Sequence, residues 1–173
     1  MNHTRFPLRT AVGVLVAEFS EDGLCALRFP ARRPSSSVPR AGARSARPKP
    51  GVSRWVRLAQ DAVNAVLAGR KPRQLPPLDL SAGTEFQQAV WRALAEIPAG
   101  QTRTYAQMAG RVGRPAAARA VGQACGANPI PLLIPCHRVL AAQGRLGGFS
   151  AGLEWKRLLL EREGLNPAGR GAA

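Results

Sequence analysis

Histidine is almost missing from this chain: its 173 residues include two, His3 and His137. Cysteine is scarce as well, with Cys25, Cys125 and Cys136. Three cysteines cannot close a disulfide framework, and they point to a reducing compartment. No Cys or His pair has a convincing zinc-ligand spacing, so neither a metal nor a cofactor is expected. Acidic residues are few, 10 Asp+Glu against 25 Lys+Arg, which leaves a formal net charge of +15. From Ile97 to Leu153 there is no Asp or Glu at all. No apolar run is long enough to span a bilayer. Val12–Phe19 is short and carries Glu18, which argues against a signal peptide. The expectation is a cytoplasmic protein, nuclear if the source has a nucleus, with no membrane partner.

What is present is an ordinary globular core and a positive field. A hydrophobic fraction of 45% is enough to bury a core. The charge excess points to a polyanion partner, most often nucleic acid. Arg103, Arg111, Arg114, Arg119, Arg138 and Arg145 all lie in the stretch without acids.

Two domains are expected, 1–80 and 81–173, in an α+β fold. In the first, Val12–Phe19 and Leu24–Phe29 flank Ser20-Glu-Asp-Gly23 and read as a β-hairpin. Ala31–Pro50 is rich in Pro, Ser and Arg, which predicts a mobile basic loop. Val52–Ala68 has apolar residues at helical spacing, with Gly69 as its stop. The second domain reads as mainly helical. Thr84-Glu-Phe-Gln87 is a capping box ahead of an apolar stripe, Phe86, Val90, Leu94 and Ile97. Thr104-Tyr-Ala-Gln107 is another, opening a helix to about Val112. After Gly113-Arg114, Pro115 suits the first position of a helix running from Ala116 to about Gly126. Helix, glycine-containing turn, helix is a helix-turn-helix pattern, equally open to two packed helices that bind nothing.

The second of these helices is thin. Ala116, Ala117, Ala118, Ala120, Gly122, Ala124 and Gly126 give it almost no side-chain surface, and Arg119 is its one charge. It has little with which to read base edges. It suits close approach to backbone or a narrow groove, with one arginine reaching the base stack. Close packing on a neighbour accounts for the small residues but not for Arg119. Gly152–Glu163 reads as a helix closed by Gly164, with Leu153, Lys156, Arg157, Leu160 and Glu163 along it. Glu163 sits at the end where a carboxylate opposes the helix dipole, so it is either solvated or partnered, for instance by a histidine.

Chemistry centres on Pro135-Cys136-His137-Arg138. Pro135 stiffens the segment and biases Ile134 toward an extended conformation. Adjacent side chains in extended chain face opposite ways. Coupling Cys136 to His137 therefore needs a tight turn or a bridging water. An inert buried cysteine beside a histidine is the plain alternative.

Together these segments closely resemble the 6-O-alkylguanine-DNA alkyltransferases, the methylated-DNA–protein-cysteine methyltransferases. The matching residues are Gly83-Thr-Glu-Phe-Gln-Gln-Ala-Val-Trp91, Ile97-Pro-Ala-Gly100, Thr104-Tyr105, Arg119-Ala-Val-Gly122, Asn128-Pro129, Pro135-Cys-His-Arg-Val139, Gly152-Leu153 and Glu163. The N-terminal half matches only loosely. The resemblance implies a winged-helix-like helix-turn-helix and a one-turnover, irreversible transfer. The alkyl group of 6-O-alkylguanine, and of 4-O-alkylthymine, would pass from a flipped-out base to Cys136. His137 would be the base acting through water, Glu163 its partner, and Asn128 a brace. Tyr105 would contact the target nucleotide, and Arg119 would fill the place of the extruded base. Main chain at Cys136, Val139 and Ser150 would meet the guanine edge, with Arg138 and Ala118 adding DNA contacts. The partner would be double-stranded DNA carrying alkylated bases, met by a monomer.

Two positions depart from the pattern. Phe149 stands where many members have Tyr, and Ala151 where many have Gly, a methyl that would narrow the pocket against bulky alkyl groups. Three other readings remain: a non-catalytic binder of alkylated DNA, a helix-turn-helix regulator and a cysteine hydrolase. Cys136 opposes the first, the thin helix the second, and the lack of oxyanion or triad signatures the third.

Overall fold

The computed structural model describes residues 3–29 and 50–166. The chain divides into two compact units, Met1–Ala82 and Gly83–Ala173, and both mix helix with strand. The expected basic loop lies outside the described residues except for Pro50, which is the first residue of a helix instead.

In the first unit the hairpin forms as β2 (Gly13–Phe19) and β3 (Leu24–Arg28). A further strand, β1 (Thr4–Thr10), pairs antiparallel with β2, Thr4 opposite Phe19 and Thr10 opposite Gly13. Pro7 obscures this strand in the sequence, yet an edge strand tolerates proline. Alternation carries it: Phe6, Leu8 and Thr10 are buried while Arg5 and Arg9 are exposed. Helix α1 (Pro50–Leu67) packs on β1 and β2, stacking Trp55 on Phe19 at 6.5 Å between ring centroids. Gln60 binds both the amide (3.0 Å) and the carbonyl (2.8 Å) of Arg9 and so occupies edge groups that would otherwise stay open. The other edge is closed by the returning chain, where Leu24 N donates to Pro77 O at 2.8 Å. A Cβ on Gly23 would lie 2.3 Å from that oxygen, so the closure requires glycine.

The second unit holds the residues of chemical interest. Helix α2 (Glu85–Ala95) starts with the Thr84 capping box, and α3 (Tyr105–Arg111) with the Thr104 box. Both boxes are reciprocal, each glutamine side chain accepting from the amide of its threonine at 2.9 and 2.8 Å. Helix α4 (Ala118–Gly126) begins later than expected. Ala117 N donates to Arg114 O at 2.8 Å, which places Pro115 and Ala116 in a turn, where the fixed φ of proline fits equally well. The small residues of α4 let it pack on both α2 and α3. Trp91 of α2 anchors it by donating Nε1–H to Ala124 O at 2.8 Å. Helix α5 (Leu153–Arg162) closes the unit, with Leu153 at its start 47% exposed.

Two very short strands shape the site. β4 (Arg103–Thr104) lies parallel to β5 (Val139–Leu140). The pairing sets the residues just after Cys136-His137-Arg138 beside the start of α3, and hence beside Tyr105. Two-residue strands carry no periodicity, so nothing in the sequence signals them.

Candidate active site

The segment before Cys136 is stiff. Leu132 adopts φ +77°, uncommon for a residue with a side chain. Pro135 sits at φ −80° and ψ 62°, close to an inverse γ-turn, and Cys136 N donates to Ile134 O at 2.8 Å across it. Cys136–Arg138 then forms a single 3-10 turn. The turn is formed, but among the described residues His137 Nδ1 has no hydrogen-bond partner, so the turn by itself does not join the two side chains. Asn128 braces the approach: its Nδ2 donates to Ile134 O at 2.8 Å and its Oδ1 accepts from Ile130 N at 3.0 Å.

Cys136 is 3% exposed and His137 fully buried. The imidazole Nε2 lies 3.0 Å from Glu163 Oε1. Its other nitrogen, Nδ1, is buried without a hydrogen-bond partner among the described residues. With Nε2 protonated toward the carboxylate, Nδ1 is left as a free acceptor, which is what a base must present. Glu163 follows the last turn of α5 with its side chain 2% exposed. Arg138 compensates the buried charge. Its Nη2 donates to Oε1 at 2.7 Å and its Nε to both oxygens, at 3.1 and 3.0 Å. Its Nη1 donates to Ile97 O, and Gly100 N adds a bond to Oε2 at 3.2 Å. Arg138, expected among the DNA contacts, therefore directs its guanidinium into the protein.

The electrostatics follow from burial. Desolvation pushes the Cys136 thiol up, against smaller opposing effects of Asn128 and the Lys156 charge. Desolvation likewise lowers His137, more than Glu163 raises it. Burial also raises Glu163, but bonds and charge from His137 and Arg138 outweigh it and hold the carboxyl at about 2. At neutral pH the resting state is a neutral thiol, a neutral imidazole and an ionised carboxylate. A thiol held this way needs a base to lose its proton at neutral pH.

Around this centre, Tyr105 is half-buried at the first position of α3, with its hydroxyl near Gly147. Val139 is buried in β5 and Ser150 exposed. On α4, Ala118 is half-buried and Arg119 exposed. Among the described residues, no cluster of three or more His, Cys, Asp or Glu gathers as a metal site, and no helix is long and apolar enough to cross a membrane.

Residues 85–165 match the family model described as the DNA-binding domain of 6-O-methylguanine DNA methyltransferase. The structure is similar to that of Mycobacterium tuberculosis OGT in complex with DNA, at a TM-score of 0.73 and 38% identity, covering 95% of each chain. The chain belongs to the methylated-DNA–protein-cysteine methyltransferase family. Its sequence is 51% identical over 105 residues to the enzyme of that name from Mycobacterium tuberculosis, covering 61% of this chain and 63% of the relative. The inducible methyltransferase of Bacillus subtilis is 48% identical over 101 residues, 58% of this chain and 56% of the relative. These alignments span less than two thirds of either relative's own length.

In this methyltransferase-family chain three features of the site escape sequence reasoning. The Gly100 amide on Glu163 and the contact of Gly147 with Tyr105 leave no trace in composition. Lys156 did leave one. It sits beside Trp155 and one turn before Leu160 on the buried face of α5, and a lysine on a buried face is rare unless paired.

Proposed function

We propose that the protein repairs DNA by direct reversal, moving the alkyl group of 6-O-alkylguanine, and of 4-O-alkylthymine, from the base to Cys136. The observation that carries this is the buried Cys136, His137 and Glu163 set, with Nε2 committed to the carboxylate and Nδ1 left as an acceptor. His137 takes the thiol proton through a bridging water. Sulfur attacks the alkyl carbon, and the carbon–oxygen bond breaks with its electron pair going to the base. The proton that left the thiol passes on to the leaving base, with Tyr105 helping to neutralise it. The product is a thioether that no group in the site can cleave, so each molecule reacts once.

The alkyl carbon is shielded within a duplex, and a fixed, 3% exposed sulfur cannot reach it there. The nucleotide must flip out. Unit 83–173 does this work as the DNA-binding and transfer domain, with α3, the turn and α4 acting as a winged-helix-like helix-turn-helix. Arg119, exposed on an otherwise slender α4, enters the duplex and Ala118 lies against it. Tyr105, Val139 and Ser150 receive the base. The protein acts as a monomer, on double-stranded DNA, in the cytoplasm.

Replacing the nucleophile tests the reading. Cys136→Ala is expected to abolish loss of 6-O-methylguanine from a duplex while holding the Kd for that duplex within about twofold, since phosphate contacts dominate affinity. Repair that survives the substitution removes Cys136 from the mechanism.

A further inference from the structure

We infer that Lys156 is a positioning residue whose ammonium ties the catalytic turn to the Gly147–Ser150 loop, so that the two walls of the base pocket and Tyr105 are held as one unit. Lys156 is fully buried. Its Nζ donates to Val139 O at 2.6 Å and to Gly148 O at 3.2 Å. Val139 directly follows the Cys136–Arg138 turn, and Gly148 lies two residues before Ser150. One side chain on α5 therefore bridges the segment that follows the catalytic turn and the loop that meets Tyr105.

The loop is in turn fitted to Tyr105. Gly147 has φ +62°, and a Cβ there would come within 2.9 Å of the Tyr105 hydroxyl. The Gly148 amide acts on the same hydroxyl, partly offsetting the upward push of burial on the phenol. Gly148 thus presents its carbonyl to Lys156 and its amide to Tyr105. Ordering passes from α5 through one peptide group to the first residue of α3. An apolar residue at 156 would fill the same space but leave both carbonyls without this donor.

The ammonium also faces the reacting sulfur. Burial depresses Lys156 to about 8, against the opposing influence of Cys136 and Cys125. Cys125, itself pushed up to about 12 mainly by burial, stays a neutral thiol at neutral pH. A lysine is kept here at the expense of its own solvation, which packing alone does not require.

The effect of Lys156 on rate rests on the alkyl-transfer reading; its effect on Tyr105 does not, which separates the two in one experiment. Tyr105 is the single tyrosine of the chain, so ring-labelled tyrosine reports on it alone by NMR. In Lys156→Met, the Tyr105 ring signals are expected to shift. The maximal single-turnover rate on a 6-O-methylguanine duplex should fall roughly tenfold to a hundredfold, the range a small misplacement of reacting groups gives. The Kd for the duplex and cooperative melting should hold. Unmoved Tyr105 signals overturn the inference, as does an unchanged maximal rate where the wild type transfers. Rate and affinity lost together with Tyr105 unmoved make Lys156 a packing residue and also overturn it. A wild type that transfers nothing sinks the alkyl-transfer reading, while the tyrosine signals still decide the tie. Should the methionine variant not fold, Lys156→Gln retains one donor and gives the same readouts.

Discussion

Glu163 shows how much a single residue gains from its surroundings. Its carboxylate sits at the end of α5, where the helix dipole opposes it. Burial opposes it too, yet His137 and Arg138 hold it ionised, at about 2. Both Glu163 and His137 are depressed in the folded chain. Their stabilisation is therefore complete above the ordinary values of 4.5 and 6.5 and is lost as pH falls below them. The same signs govern the chemistry. The transfer rate should hold around neutral pH and drop as acid protonates His137. A single-turnover rate measured against pH checks this, and a rate that rises below pH 6.5 would contradict a neutral histidine base. The cysteine, the histidine and the glutamate were all legible in the sequence, as residue types that need one another. The pairing of His137 with Glu163 was also expected, as what the resemblance implies, and it is present; the turns that build it were not. The γ-turn at Pro135, the 3-10 turn and the role of Arg138 depend on main-chain geometry and on burial, which a linear pattern does not encode.

At the scale of elements, capping chemistry was the most legible signal. Thr84 with Gln87 and Thr104 with Gln107 each fix a helix start to the residue, because both donors and acceptors are specified locally. Pro115 misled for the same local reason: the φ it imposes suits a turn as well as a first helical turn. β1, β4 and β5 lie beyond local signals, the first disguised by Pro7 and the others only two residues long. The slender α4 carries the prediction at this scale. Arg119 is exposed and is the one charge on the helix, so it should act on the duplex and not on the thiol. Arg119→Ala is expected to slow repair of a duplex by roughly tenfold or more, as expected if base extrusion limits the reaction. Reaction with free 6-O-methylguanine should be unchanged. Equal losses on duplex and free base remove Arg119 from the flipping step.

For the whole molecule the governing term is charge. A net +15 with an acid-free stretch from Ile97 to Leu153 predicts that phosphate contacts are the main source of affinity for DNA. Arg111, Arg114, Arg119 and Arg145 of that stretch are exposed, whereas Arg138 is turned inward. Affinity for duplex DNA should fall about tenfold or more between low and physiological salt, with weak sequence preference, in a fluorescence-anisotropy titration. Binding that ignores salt contradicts a phosphate-led interface. The central claim concerns one sulfur, and one measurement addresses it directly: the intact mass of the protein, and a map of its peptides, after incubation with a duplex carrying 6-O-methylguanine. The expected result is a single added methyl group, located on Cys136, with no second turnover. An unchanged mass in a protein that still binds the lesion would contradict alkyl transfer and leave a binder of damaged DNA in its place.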